Sequence, residues 1–477
     1  MSLNSILEIG KTGLNIYQMA TEVTSQNIAN VNTPGYSRQQ VQLETAPPTT
    51  ANGFPLGTGV RIASITRSHD ALLQQQLVNA QTTQGYDTTK SNVLQQIQPS
   101  FNEVANDGLG AAISNFFGAW QSLASNPSGT TERQTVLNDA QILADNFHSV
   151  SKTLTDTIAT QNASLPSLTS SINATLTNIA QLNGQIKVSN AVGGNANELK
   201  DQRDQLIQNL SQQMGIKYTE NSDGTTDVYV TDNSAGPPTV DYYLVKGNAA
   251  GSVNASASNP SVVTVTDTTG TTSNPMDPTA ATPFYSSDTS GGQLWATLKL
   301  RDVTIPGYLK QVDTLASTIA SKVNTQQQAG YDLNGTAGVA LFSGTSSAAN
   351  FAVSSTITPD QVAAANSSST APGGNDNALA IADLQNAPTM SSNTTTFNGY
   401  YDSLVSTVGL DVQSSQTTVK QDTAFTQQLT TLQQSNSGVS LDEELTNLVQ
   451  YQRSYQASAK VITTATDMMD TVLGLIQ

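Results

Sequence analysis

The sequence predicts a mainly α chain with a β insert: paired N- and C-terminal coiled-coil helices, a discontinuous helical-bundle domain and a small all-β inserted domain. Three observations predict it. An apolar residue stands at every seventh position of the last stretch, Leu441, Leu448, Tyr455, Ile462, Met469 and Ile476, which is the 3.5-residue period of a long helix with one face for a partner. A related stripe, Leu3, Leu7, Leu14, Tyr17, Ile28 and Val31, marks the other end of the chain. Between them, helical spacing gives way to β-rich runs after Gly215 and resumes at Gln293.

The first helix is expected to stop near Asn32. Asn tolerates the left-handed conformation that ends helices, Pro34 forces Thr33 out of the helical region, and Gly35 adds a turn. Within that helix, Gly10, Gly13 and Ala20 mark where another helix can approach closely. After Tyr36 the chain should run extended, with Val41 and Leu43 spaced by two, then loop through Ala46, Pro47 and Pro48 to Gly59. Val60, Ile62 and Ile65 alternate as a short strand that leads into a helix. From Asp70 to Leu210 the pattern is mostly helical, with breaks at Pro99, 107–110, 126–129 and 193–194. Leu165, Leu168, Ile172, Leu176, Ile179, Leu182 and Ile186 repeat at threes and fours, a stripe that faces a core.

The character changes near Gly215. The runs IKYTE and TTDVYV flank 221–224, whose Asp-Gly pair is a hairpin turn signal, and 242–245 and 262–265 add further β-rich runs. Helical spacing returns with Leu294, Leu298, Ile305, Leu309, Val312, Leu315 and Ile319. A Gly/Ser/Thr-rich irregular piece follows from 330 to about 396, with short strands expected at 341–342 and 351–353. Helix then runs to the end, interrupted at 436–438. Ser440 with Glu443 three residues on reads as a capping box, and Asp442, Glu443 and Glu444 suit the first turn of a helix dipole. These breaks divide the chain into 1–60 with 430–477 as a terminal coiled-coil polymerisation domain, 61–215 with 291–429 as a helical middle domain, and 216–290 as a surface-exposed β domain.

Composition narrows the function classes. Only 12% of the 477 residues are charged, against about 25% in an average soluble protein, and Ser, Thr, Asn and Gln make up the polar balance. Such a surface suits a subunit packed beside identical copies. The formal charge of −17, from 19 basic and 36 acidic residues, argues against nucleic acid or an anionic membrane as the main partner. The absence of cysteine excludes disulfides and thiolate chemistry. The start MSLNSILEIGKTG lacks a basic n-region followed by an apolar h-region, so no ordinary secretory signal is expected, and no run of eighteen apolar residues occurs.

No catalytic, cofactor or metal residues are expected. A zinc protease needs H-E-x-x-H, and the two histidines, His69 and His148, lie in no such motif. The Asp332–Gly335 stretch hints at a calcium loop but lacks the later carboxylates, so it reads as a turn. Neither a G-x-x-x-x-G-K-[ST] nor a G-x-S-x-G string appears.

The string NIANVNTPGYSRQ at 27–39, directly after an amphipathic N-terminal helix, resembles the signature of bacterial flagellar axial proteins, the rod, hook and hook-associated subunits. Its motif residues are Asn27, Asn30, Thr33, Pro34, Gly35 and Tyr36. The variant with Thr33 to Arg38 is most similar to the hook-associated type that joins hook to filament. The segments NELKDQRDQL at 197–206, 291–316, 330–344 and 437–462 agree with it; the β insert resembles nothing familiar. The resemblance implies a structural subunit, not an enzyme, exported unfolded through the flagellar type III channel to lie outside the cell at the hook–filament junction. It implies copies of itself, the hook protein, hook-associated protein 3 and a cytosolic export chaperone on the C-terminal helix as partners, with no cofactor. The rivals are another axial protein (hook or distal rod subunit) and, further off, a surface adhesin or a flagellum-borne enzyme.

Overall fold

The computed structural model describes residues 3–51, 54–101, 108–234, 236–258 and 260–474. Helix α1 (Leu3–Ala29) leads into strand β1 (Gln39–Thr45), a small hairpin of β2 (Thr49–Ala51) and β3 (Phe54–Leu56), and strand β4 (Val60–Arg67). The stretch expected as a loop through Pro47 and Pro48 thus carries that hairpin. β1 and β4 form one antiparallel ribbon, in which Val41 lies opposite Ile65 and Leu43 opposite Ile62. The partners are two apart on β1 and three apart on β4, and a β-bulge at Gln42/Leu43 takes up the extra residue.

Asp70 caps α2 (Ala71–Ile97), its Oδ1 accepting from the Leu72 and Leu73 N–H groups at 3.0 Å each. A 3-10 turn through Pro99 ends that helix. The next expected break begins at 107, outside the described residues, and α3 (Leu109–Ser125) follows. α4 (Thr130–Ala191) then runs 62 residues through Pro166 without a break, about 93 Å at 1.5 Å per residue. α5 (Asn197–Gln213) returns along it.

In the insert, β5 (Lys217–Glu220), β6 (Thr226–Asp232), β7 (Val240–Lys246) and β8 (Ala249–Ala250) make a four-stranded antiparallel sheet in chain order, and β9 (Ser252–Ala255) pairs with β10 (Val263–Thr266). Gly224, at φ +84°, closes the β5–β6 hairpin in the left-handed region that Asp-Gly turns require. β6 alternates buried with half-buried residues. Its inner face packs on α4: Val228, Val230, Leu244 and Val265 share a core with Leu165, Ile172, Leu176 and Ile179 of that helix and with Trp295. The insert therefore exposes one face and covers the shaft with the other.

The helical pattern resumes as α6 (Gly292–Lys299), a π turn at 300–304 and α7 (Ile305–Ala329), nearly one rod. The irregular piece carries the short pair β11 (Phe342–Ser343) and β12 (Ala352–Val353), then α8 (Asp376–Asp383). α9 (Phe397–Ser437) and α10 (Leu441–Gly474) complete the chain. A second core gathers α3, the first half of α4, α7, α8 and the start of α9 around Phe116, Trp120, Phe147 and Phe397. α4 spans both cores and ties them into one body.

Candidate assembly surface

α1 lies along α10, and small residues set how closely. A Cβ on Gly10 would stand 2.7 Å from Ile462 Cγ1, and one on Gly13 2.8 Å from Ser458 Oγ, both inside normal contact. The glycines are therefore the floor of the seam. The Tyr17 and Tyr451 rings stack at 6.5 Å. The buried line of α1 is Gly10, Gly13, Ile16, Ala20, Val23, Thr24 and Asn27. The larger stripe residues, Leu3, Leu7, Leu14, Tyr17, Ile28 and Val31, are half-buried beside it.

α10 is far less covered. Glu444 and Ala465 are its buried residues, while Leu448, Ile462 and Met469 are half-buried and Leu441 and Tyr455 are 46% and 38% exposed. Ile476 lies outside the described residues. Leu441, Leu445 and Val449 stand exposed at four-residue spacing on one flank. Val461, Met468 and Val472 are exposed too, and Val461, sixteen residues after Leu445, lies about 160° around the helix from it at 3.6 residues per turn. Both flanks of the pair are thus apolar and open.

The motif after α1 builds a polar knot that anchors the pair to the middle domain. Asn27, buried at the end of α1, donates through Nδ2 to the Gln39 carbonyl (2.8 Å) and to Glu444 Oε2 (3.0 Å), and its Oδ1 accepts from Tyr36 OH (2.8 Å) and Gln39 N–H (3.0 Å). Both ends of that amide are satisfied, and it locks helix, strand and α10 together. Arg38 Nε donates to Glu444 Oε1 and Arg38 Nη1 pairs with Glu443 Oε2, both at 2.8 Å. The carboxylates expected at a helix cap thus face a guanidinium across the chain. Ser37 donates from N–H (2.8 Å) and Oγ (2.7 Å) to Asp201, and Arg67 reaches Asp201 and Asp204 at 2.7 Å each. Asn30 and Thr33 bond to one another at 3.1 Å, and Gly35 turns the exposed loop at φ +80°.

Burial pushes the Tyr36 hydroxyl up to about 12, which keeps it a donor to Asn27. For Arg67 and Asp201 the shifts pull against each other. Burial raises the Asp201 carboxyl over the pull of Arg67 and Ser37, whereas Asp204 and Asp201 lift Arg67 despite its own desolvation. With two carboxylate oxygens 2.7 Å from one Nη1, the ionised pair is the state the geometry supports. Burial, with the Arg67 charge next, lowers His69, so the imidazole 3.8 Å from Asp204 is neutral at pH 7. A polar cleft of about 610 Å³ opens beside the knot, bounded by the 30–37 turn, Arg67, Gln74, Gln205 and Gln434. Among the described residues no group of three or more His, Cys, Asp or Glu is placed to hold a metal.

Sequence reasoning missed the knot's far side. Gln39, Arg67 and Asp201 carried no role in it and Glu444 only that of a first-turn acid, although the DQRD segment already paired acids and an arginine on one helix.

Three family models match successive parts of the chain. The family model described as "Flagellar hook-associated protein FlgK helical domain" matches residues 94–342. Models for "Flagella basal body rod protein" and "Flagellar basal body rod FlgEFG protein C-terminal" match 7–36 and 433–475. The chain is 28% identical to flagellar hook-associated protein 1 of Bacillus subtilis over 98% of this chain and 97% of that one. It is 26% identical to the Escherichia coli protein of the same name over 99% and 100%. In fold it resembles the flagellar hook junction protein FlgK of Burkholderia pseudomallei, with a TM-score of 0.64 at 20% identity over 76% of this chain and all of that one.

Proposed function

The chain belongs to the FlgK family of flagellar hook-associated proteins, and from that premise we propose that its terminal helix pair is the polymerising surface, with α1 and α10 burying their open flanks against neighbouring copies. It is a structural subunit of the flagellar hook–filament junction, located in the flagellum and assembled with other flagellar components. The terminal segments are the part shared with rod proteins. The middle domain is what separates this subunit from a rod or hook protein.

The observation that carries the surface assignment is the pair of apolar flanks about 160° apart on α10. A two-fold dimer would use one patch twice, whereas a ring or helical tube needs two different faces on every copy. Exposed leucine, valine and methionine on both flanks supply two faces. Burial at about 25 cal/mol per Å² then favours lateral packing.

In this reading the hook protein lies below the junction and hook-associated protein 3 above it, and no step of catalysis is assigned. The chain leaves the cell unfolded through the flagellar type III channel, which a cysteine-free chain with no disulfide to form permits. The apolar length of α10 gives a cytosolic export chaperone something to hold beforehand. The domains follow the same division: 1–60 with 430–477 inside, 61–215 with 291–429 outside, and 216–290 outermost.

Because the chain has no cysteine, Leu445→Cys together with Val461→Cys introduces the only thiols. Oxidised junctions in purified hook–basal bodies should yield ladders of linked copies. Monomer alone, from junctions in which the double variant is demonstrably present, would remove the lateral-packing reading.

A further inference from the structure

The seam between α2 and α9 carries two facing carboxylates with no part in the assembly surface. The helices run antiparallel: Gln433 Nε2 donates to Gln74 Oε1 (3.1 Å), Leu429 packs with Leu73, Leu77 and Ala80, and Gln84 Nε2 donates to Thr423 Oγ1 (3.3 Å). The same register brings Asp87 of α2 against Asp422 of α9, within hydrogen-bond reach if one is protonated. Asp87 is 6% exposed, and Oδ2 of each carboxylate is buried without a donor. Back along the seam, Gln81 Oε1 and Thr426 Oγ1 are also buried without a partner. The Thr426 hydroxyl, one turn along α9 from Asp422, bonds to neither Oδ2, so among the described residues no donor meets either oxygen.

Two ionised carboxylates in that position repel and leave both facing oxygens unmet. One proton held between them removes the repulsion and turns one oxygen into a donor for the other. We propose that Asp87 and Asp422 share one proton across the seam, so that the packing of α9 against α2 is proton-dependent: tight while the proton is held, opening more readily once it is lost.

The surrounding charges are few. Lys90, one turn along α2, is the cation that favours ionisation of Asp87. Lys420 on α9 is exposed. The 3-10 turn packed on α2 brings Asp288 near Tyr86, and Asp288 is itself paired with Lys299 of α6. Burial first, and then Asp422, pushes the Asp87 carboxyl up to about 6, while burial also raises Asp422. A carboxyl raised in the folded state stabilises fully below its ordinary value of 3.8, and that contribution fades as pH climbs through about 6.

Hydrogen exchange on the full chain tests this, with rates corrected for intrinsic pH dependence and peptides of α3 as the internal control. Protection of peptides spanning 415–430 should fall by up to about tenfold between about pH 5 and about pH 7, because opening the seam is linked to the loss of one proton, while α3 stays level. Asp87→Asn supplies a permanent donor and should flatten that slope, and Asp422→Asn should do the same independently. A wild-type slope no steeper than that of α3, or one that survives in whichever variant folds, would overturn the proposal. If neither variant folds, the wild-type contrast between the two helices decides alone.

Discussion

α3 and α10 are both amphipathic, yet one is enclosed by its own chain and the other lies largely uncovered. α3 buries Leu109, Ile113, Phe116, Phe117, Trp120 and Leu123 among its nine buried residues, whereas α10, twice as long, buries Glu444 and Ala465. The difference is in the number of neighbours. α4, α8 and α9 surround α3, while among the described residues α1 is the element packed along α10 beyond its Arg38-bound first turn. An apolar stripe thus tells which side of a helix needs cover and leaves open whether that cover is intramolecular. In the middle domain the chain supplies it; at the ends, in the assembly proposed above, neighbouring copies do.

The largest effect should come from the enclosed helix. Phe116 is fully buried, with ring centroids of Phe117 at 5.1 Å, Phe342 at 5.5 Å and Trp120 at 6.4 Å. Phe116→Ala loses that burial and leaves a cavity between α3 and the β11 strand, which costs about 3–5 kcal/mol. Urea unfolding of the monomer should show a lower midpoint with an unchanged slope. An equal loss from truncating any exposed α10 leucine would erase the contrast between the two helices.

Next in size is the anchor between them. Glu444→Ala removes the acceptor of both Asn27 and Arg38 and leaves a buried amide short of a partner, about 2–3 kcal/mol for hydrogen bonds to a charged group. Because Glu443 still holds Arg38, the loss should be confined to docking of the terminal pair. Exchange should therefore quicken in the first turns of α10 and the end of α1, with the unfolding of the middle domain unchanged.

That anchor also marks where sequence reading stops. Heptad spacing is a local property, so the stripe from Leu441 indicated a helix that runs from Leu441 to Gly474. The small residues at Gly10 and Gly13 likewise pointed to close approach, since only size decides it. Asn27 and Glu444, in contrast, are 417 positions apart, and an acid in a first helical turn looks the same whether it caps its own helix or meets a distant arginine. The partner of Asp201 in Ser37 and Arg67 was hidden for the same reason. Periodicity showed that the insert is β, but its inner face on α4 follows from the return of the chain, which no strand pattern encodes.

The two halves also differ in how they tolerate a methyl group. A Cβ on Gly85 of α2 would meet the Gln212 carbonyl oxygen at 2.1 Å, a backbone atom of α5, while one on Gly10 meets the Ile462 side chain. Gly85→Ala should destabilise by about 1–3 kcal/mol as α2 and α5 are forced apart, despite the gain of about 1 kcal/mol in helix propensity. Gly10→Ala gains the same propensity, and because Ile462 Cγ1 is held by a stiff β-branched χ1 the contact is relieved by a small shift of the exposed α10, so its thermal midpoint should fall by less than that of Gly85→Ala. A Gly10→Ala loss as large as that of Gly85→Ala would mean the terminal seam is packed as rigidly as the middle domain.

The smallest effect on the monomer should be that of Leu445→Asp. Leu445 is 51% exposed, and it stands on the open flank of α10, next to the acids that meet Arg38. A surface change of this kind falls within about 0.5 kcal/mol of neutral, so the thermal midpoint and the exchange pattern of the soluble chain should match the parent. In an assembly the same carboxylate must be desolvated against a neighbouring copy, at several kcal/mol, and the penalty recurs in every subunit. Cells carrying Leu445→Asp should therefore secrete the protein, build hooks of normal length and shed unattached filament subunits into the medium. The two readouts must be taken on one variant, because their contrast carries the argument: a helix whose exposed leucine is silent in the monomer and indispensable in the junction is covered by other copies. Normal swimming, with secretion verified, would place the contact between copies on another face.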